Sequence, residues 1–305
     1  MRIAAIDIGS NAARLLINEV CEVKKGKPEY TKLNLLRIPL RLGMDVFSYG
    51  EIREKREKMV LATMQVFADL LKIYEVEFFR ACATSAMRDA KNGKELIEKV
   101  KKQTGIAIEI ISGDEEASLI YENHVTETLD KDFGYLYIDV GGGSTELMYF
   151  ENNKLKYKNS FNIGTIRLLN NLVKEEQWKE MKEEIKSKIG GKKPIIGIGS
   201  GGNINKIFYM SKTKDGNPIS LQTLRNYLKD LSQLSVSERM VKYNIREDRA
   251  DVLVPALEIF TKVMSWSNIN KALVPKISVA DGLIHAIYQE NKSGKKSSTK
   301  QINKS

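Results

Sequence analysis

The sequence predicts an α/β protein of two domains, and three observations carry that prediction. Short apolar runs that read as buried strands alternate with segments of helical period. The pattern restarts near residue 130. Each half opens on a strand that runs into an Asp-x-Gly turn, Asp7-Ile8-Gly9 in the first and Asp139-Val140-Gly141 in the second. The 305 residues agree, at roughly 100–200 residues per domain.

In chain order, residues 2–8 read as a buried strand and Ile17–Val23 as its partner. Residues 52–74 carry helical periodicity through Met59, Ala62, Met64, Val66, Phe67 and Leu70. Val76–Cys82 reads as a strand, Lys94–Thr104 as a charged helix closed by Gly105, and Ile106–Ile111 as another strand. Ser112-Gly113-Asp114-Glu115 fits a capping box that opens a helix through about Val125. The second half begins with a strand at Tyr135–Val140. Glu146–Phe150 and Leu155–Phe161 follow as a hairpin around Asn152-Asn153. Trp178–Ile189 reads as a helix, Pro194–Ile198 as a strand, 221–234 and 249–266 as helices, and Pro275–Val279 as a final strand. The expected division is 1–126, 127–290 and a tail at 291–305.

Composition excludes several classes. No window holds the ~18–20 apolar residues that cross a membrane, and Asp7 interrupts the first apolar run, unlike a secretory leader. Cys21 and Cys82 are isolated, as expected of reduced cytoplasmic cysteines. Two histidines, His124 and His285, are too few for a histidine-rich dinuclear centre. Half of the net charge of +10 lies after Glu290, in Lys292, Lys295, Lys296, Lys300 and Lys304, with no acid among them. That tail lacks apolar periodicity and is expected to be disordered. The remaining mild excess of positive charge suits an anionic substrate, with no specific nucleic acid and no membrane expected as partners.

Three strand-to-glycine junctions carry the chemistry. They are Asp7-Ile8-Gly9-Ser10-Asn11, Asp139 through Glu146, and Gly197-Ile198-Gly199-Ser200-Gly201-Gly202-Asn203. Glycine lets backbone N–H groups converge on a phosphate without obstruction by Cβ, and Ser or Thr hydroxyls add donors. A carboxylate at the strand end can hold Mg²⁺ against phosphate oxygens. No Gly-Lys-Ser/Thr follows, so these are not Walker loops. The spacing is not G-x-G-x-x-G, so they are not dinucleotide fingerprints.

The paired turns and the third glycine turn resemble the actin, heat-shock chaperone and sugar-kinase superfamily. Four segments narrow the resemblance to the exopolyphosphatase/guanosine pentaphosphate phosphohydrolase (Ppx/GppA) family. They are Ala5 through Asn11, Ala83-Thr84-Ser85-Ala86-Met87-Arg88-Asp89-Ala90, Ile111 through Ala117, and Ile138 through Leu147, with Val279-Ala280-Asp281-Gly282 in support. The resemblance implies two actin-like (ribonuclease H-like) α/β domains with an interdomain active-site cleft. It implies Glu116 as the general base for the attacking water, where the residue alone could equally be a carboxylate favoured by a helix N-terminus. Asp139 and Glu146, with Asp7 as a further candidate, become metal-side carboxylates for Mg²⁺ or Mn²⁺; Glu146 could instead be a strand-edge residue. Arg88 becomes a phosphate clamp, the alternative being an ion pair with Asp89. Gly9, Ser10, Asn11, Gly141, Gly142, Gly143, Ser144, Thr145, Gly199, Ser200 and Gly201 supply the cradle.

The implied activity is metal-assisted hydrolysis of the terminal phosphoanhydride of inorganic polyphosphate by water. A phosphohydrolase acting on pppGpp, a kinase of the same superfamily and a catalytically silent phosphate sensor remain alternatives. Two positions depart from the family pattern. Ala12 stands where a serine is usual, and Leu283, Ile284 and His285 stand where a basic residue often follows Asp-Gly. Long members add helical C-terminal domains, so a grip on a long polymer would need another surface, such as a homodimer interface.

Overall fold

A computed structural model describes residues 1–22, 28–121, 130, 132–152, 154–191, 193–275, 278–293 and 300–301. Two compact units divide the chain, Met1–Asn123 with Ser278–Ser305, and His124–Ile277. Each has its own hydrophobic core.

The first unit opens with β1 (Arg2–Ile8), β2 (Ala13–Glu22) and β3 (Pro28–Ile38), then α1 (Leu42–Tyr49) and α2 (Glu54–Ile73). It continues with β4 (Phe78–Ala83), α3 (Ser85–Asp89), α4 (Gly93–Thr104), β5 (Ile108–Ile110) and α5 (Gly113–Tyr121). β1 is buried from Ile3 through Ile8, and it lies between antiparallel β2 and parallel β4. Burial on both faces is why this strand reads as an unbroken apolar run. The buried stripe of α2 includes Val60, Met64, Phe67 and Leu71; of the expected face Met64 and Phe67 are buried, whereas Met59 and Val66 are exposed. Gly105 closes α4 in the left-handed region at φ 77°.

The second unit repeats the plan. β6 (Gly134–Val140), β7 (Thr145–Glu151) and β8 (Lys154–Phe161) precede α6 (Thr165–Leu169) and α7 (Glu175–Lys188). Then come β9 (Ile195–Ser200), α8 (Gly202–Met210), β10 (Ile219–Ser220), α9 (Leu221–Ser232) and α10 (Val236–Tyr243). α11 (Glu247–Ala250), α12 (Leu253–Trp266) and β11 (Lys271–Leu273) complete it. The strand order β8-β7-β6-β9 matches β3-β2-β1-β4, with the same antiparallel and parallel pairings.

The chain then returns to the first unit as α13 (Val279–Lys292) and β12 (Lys300–Gln301). α13 is opened by a capping box between Ser278 and Asp281, in which Ser278 N–H (2.8 Å) and Oγ–H (2.6 Å) both donate to Asp281 Oδ2. It packs on β1 and α5. Tyr288 donates to Glu22 (2.9 Å), and Tyr30 stacks on His285 at 4.0 Å.

Three expectations are corrected. A strand at Pro275–Val279 is replaced by β11 at Lys271–Leu273, and the Ser278 cap makes Val279 helical; residues 276–277 lie outside the described residues. Contacts place α13 with the first unit, although the sequence division put 127–290 together. In the expected disordered tail, Lys300 and Gln301 pair antiparallel with Phe79 and Phe78 of β4, while 294–299 and 302–305 lie outside the described residues. The first unit's β3 and α1 had no sequence signal, because β3 is largely solvent-facing and lacks a clean alternation. The expected boundary and the far end of the α5 helix also fall on residues that are not described.

Candidate active site

Both Asp-x-Gly turns are closed in the same way. Gly9 N–H donates to Ala12 O at 3.0 Å, and Gly141 N–H to Ser144 O at 2.9 Å. In the second turn the loop carbonyls are all accepted from one side. Thr165 N–H reaches Gly141 O (3.0 Å), Ile166 N–H reaches Gly142 O (2.8 Å), and Arg167 Nε reaches Gly143 O (2.8 Å). No peptide bond among the described residues is cis, and a trans peptide points its N–H opposite to its C=O. The N–H groups of Gly142, Gly143 and Ser144 therefore point away from α6, three donors in succession. Gly164 makes this approach possible, since a Cβ there would lie 2.5 Å from Gly142 C and O and Gly143 C.

The first turn is pinned likewise, by the start of α1. Gly43 N–H donates to Ser10 O and Arg41 N–H to Asn11 O, each at 2.9 Å. The N–H groups of Asn11 and Ala12 point away from that helix. Arg41 holds the left-handed region at φ 53° to make this entry. The buried Ser10 and Ser85 hydroxyls bond to each other at 2.8 Å, which ties the turn to the first residue of α3.

The strand ends carry a polar row in register across each sheet. In the second unit it reads Ser200, Asp139, Glu146, Ser160 on β9, β6, β7 and β8. Asp139 and Glu146 are both buried. Glu146 Oε1 accepts from Ser144 Oγ (2.6 Å) and Ser160 Oγ (2.9 Å). In the first unit the row is Cys82, Asp7, Arg14, Arg37. Here Asp7 has a cation opposite, with Arg14 Nη1 at 3.6 Å from Oδ2. Burial, the larger influence, raises the Asp7 carboxyl above its ordinary range, and Arg14 opposes that rise. Burial also pushes the Cys82 thiol up to about 12, which leaves it unreactive.

The third turn sits beside the second. Asp139 pairs with Ser200, and Gly201, at φ 100°, caps α8. A Cβ on Gly201 would meet Asp139 Oδ1 at 3.0 Å. The Asp139 carboxylate thus lies at the start of α8, where helix N–H groups favour negative charge. Arg249 Nη1 donates to Asn203 Oδ1 at 3.2 Å in the same first turn.

In the first unit, Ser112 Oγ accepts from Glu115 N–H at 3.1 Å, as a cap should. The Glu115 carboxylate is turned to Arg80 at 3.2 Å, so only half of the expected box forms. Glu116 stands in the first turn of α5, partly exposed, its N–H bonded to Ser112 O at 3.0 Å. Arg88 Nη1 donates to Ile111 O (2.9 Å), immediately before that cap, and only a long 3.9 Å approach links Arg88 to Asp89. Arg88 therefore belongs with the start of α5 rather than with a surface pair.

Within the second unit, the glycine turn at 141–143, Gly201, Asp139, Glu146 and Ser200 lie together. The hydroxyl hydrogens of two expected donors are committed elsewhere, Ser144 to Glu146 and Thr145 Oγ1 to Ile163 O at 2.6 Å. Asp7 has an arginine partner, Arg14. Sequence reasoning missed Ser160 and the α6 entry Gly164–Arg167. The only signal was Gly164-Thr165 following the β8 strand.

Residues 20–290 match the Ppx/GppA phosphatase family model. The chain belongs to the Ppx/GppA phosphatase family. It is 26% identical over 303 residues to the guanosine-5'-triphosphate,3'-diphosphate pyrophosphatase of Aeromonas salmonicida. It is 29% identical over 322 residues to a bifunctional 3-dehydroquinate synthase/phosphatase of Fusobacterium nucleatum. The match covers 94% and 95% of this chain but only 60% and 47% of those relatives. Among solved structures, an exopolyphosphatase from Cytophaga hutchinsonii superposes with a TM-score of 0.80 at 26% identity, covering 97% of this chain and 99% of that one. A Ppx/GppA family member from Aquifex aeolicus gives 0.73 at 25%, covering 95% and 99%. The repeated strand order of this Ppx/GppA chain is the actin-like α/β arrangement of its family.

Proposed function

We propose that this protein is an exopolyphosphatase that hydrolyses the terminal phosphoanhydride bond of inorganic polyphosphate with water as nucleophile. The observation that supports this most is the glycine turn at 141–143, whose carbonyls are drawn to α6 so that three consecutive N–H groups face the other way. Such a run of donors suits the oxygens of a phosphoryl group. In this reading Gly142, Gly143 and Ser144 bind phosphate through the backbone, and in the first unit Asn11 and Ala12 offer backbone donors of the same kind. Arg88, anchored by Ile111 O, is the guanidinium assigned to phosphate. Glu116 takes the proton of the attacking water.

Asp139 and Glu146 fit a divalent metal. They are two buried carboxylates in direct register on one face of the sheet, placed so that one cation could reach both. The donor set is all oxygen, which suits Mg²⁺ or Mn²⁺, and one or two carboxylates with substrate phosphates are what Mg²⁺ ordinarily takes. Such an ion, when bound, neutralises charge on phosphoryl oxygens. Asp7 is left out of the metal set because Arg14 already compensates it. Ser144 and Ser160 hold Glu146 Oε1 and fix the orientation of the carboxylate.

Hydrolysis of pppGpp is the second reading, favoured by the pyrophosphatase relative that matches 94% of this chain. We place the protein in the cytoplasm on its isolated cysteines; among the described residues no helix is long and apolar enough to cross a membrane. The test is phosphate release from polyphosphates of several lengths, pppGpp, ATP and ADP, with and without Mg²⁺. Release from polyphosphate is expected to exceed release from pppGpp. The reverse order would transfer the assignment to pppGpp, and no release from either would leave a binding protein.

A further inference from the structure

At the far end of the second unit's sheet lies a groove of about 750 Å³. It opens where β6 and β9 begin, at Gly134 and Ile195, whereas the glycine turns lie where those strands end. Seven residues of β6 at about 3.3 Å each separate the two by roughly 20 Å. Lys182 and Lys186 of α7 and Lys193 before β9 line it, with the Gly190-Gly191 link and Trp266, and no carboxylate is among the lining residues. Arg225 reaches its wall through Ser265 Oγ at 2.9 Å. Lys193 Nζ is steadied by Asn152 Oδ1 at 2.6 Å.

Lysines at the end of a helix complement its dipole, which accounts for Lys186 in the last turn of α7. It does not account for Lys193 or Arg225, which come from other elements. Among the described residues neither Lys182 nor Lys186 forms an ion pair. Trp266 packs edge-to-face with Trp178 at 6.0 Å. Three ammonium groups from two stretches of chain suit a flexible polyanion contacted along its length, and a single tryptophan offers no series of platforms for successive bases.

We propose that this groove binds a segment of inorganic polyphosphate remote from the terminus being cut. The proposal rests on the polyphosphate reading above and extends it to long chains.

The test is Lys182→Glu/Lys186→Glu, with Lys182→Arg/Lys186→Arg as rescue. Binding of end-labelled long-chain polyphosphate is measured by anisotropy in the Glu116→Gln background at several salt concentrations. Hydrolysis of tripolyphosphate is measured in the otherwise native protein. The double Glu variant is expected to bind long chains about tenfold more weakly at low salt, with a shallower salt dependence. It should leave kcat/KM for tripolyphosphate unchanged, and the Arg pair should restore binding. Unchanged long-chain affinity in the Glu pair, or RNA of equal charge binding more tightly than polyphosphate, would overturn the proposal. If the native protein cuts no polyphosphate yet binds long chains through these lysines, the groove stands and the catalytic reading fails.

Discussion

Asp139 faces Glu146 across the β6–β7 ladder, whereas Asp7, at the same place in the first unit, faces Arg14. The duplicated hairpin thus keeps one aspartate and reverses the charge of its partner. One unit compensates its carboxylate internally, at 3.6 Å. The other sets two buried carboxylates side by side, the pair to which the divalent ion is assigned in the proposed function.

Asp139→Asn and Glu146→Gln are each expected to raise the Mg²⁺ concentration needed for half-maximal phosphate release. They should also weaken Mn²⁺ binding measured by titration calorimetry. Ser160→Ala should do the same to a smaller degree, through loss of one 2.9 Å bond to Glu146, and Ser160→Thr should recover it. Full activity of native protein dialysed into excess EDTA would refute a metal requirement.

Glu116→Gln is expected to keep the fold and lose turnover by about 10²–10⁴-fold. Glu115→Gln is the matched control. Its carboxylate is held by Arg80 in a half-exposed pair worth at most ~1 kcal/mol, so kcat should change little. Equal losses in the two variants would reassign the base.

Gly164→Ala drives a methyl group to 2.5 Å from the Gly142 and Gly143 backbone. The loop must move, at a cost of about 1–3 kcal/mol. The melting temperature should fall, and KM for tripolyphosphate should rise because the N–H groups lose their alignment. Gly190→Ala, where a Cβ meets nothing within 4 Å, should change neither. A Gly164→Ala protein with native KM would show that the loop does not bind phosphate.

Burial raises the Asp7 carboxyl above its ordinary 3.8, the Arg14 charge being the weaker, opposing influence. The folded protein therefore holds this proton more tightly than the unfolded chain does. The associated stability is complete below 3.8 and is lost as pH climbs through the raised value. Asparagine cannot ionise. The melting temperature of Asp7→Asn relative to native protein should therefore increase as pH rises from 3.8 and then level off. A flat difference across that range would mean that Asp7 titrates normally.

Much of this protein was decided by its sequence alone. Strands buried on both faces, such as β1 and β6, leave continuous apolar runs, and turns that need glycine leave glycine, so both Asp-x-Gly junctions and the α/β class were legible. The paired motifs were specific enough to indicate the family before any fold was known. Other features were settled only by tertiary contacts. In α2, packing decides which side is buried: Val60 and Leu71 join the expected Met64 and Phe67, while Met59 and Val66 face solvent. α13 returns to the first unit because its apolar side, Leu283, Ile284 and Ile287, is buried there, a choice no local pattern encodes. The hydroxyls of Ser144 and Thr145 looked like phosphate donors until their hydrogen bonds were seen to run to Glu146 and Ile163. Cross-strand register supplied the rest. Which residue stands opposite Asp7 or Asp139, and that Ser160 reaches Glu146 from β8, follows from ladder alignment between segments apart in the chain, and register is a property of the paired sheet rather than of either strand.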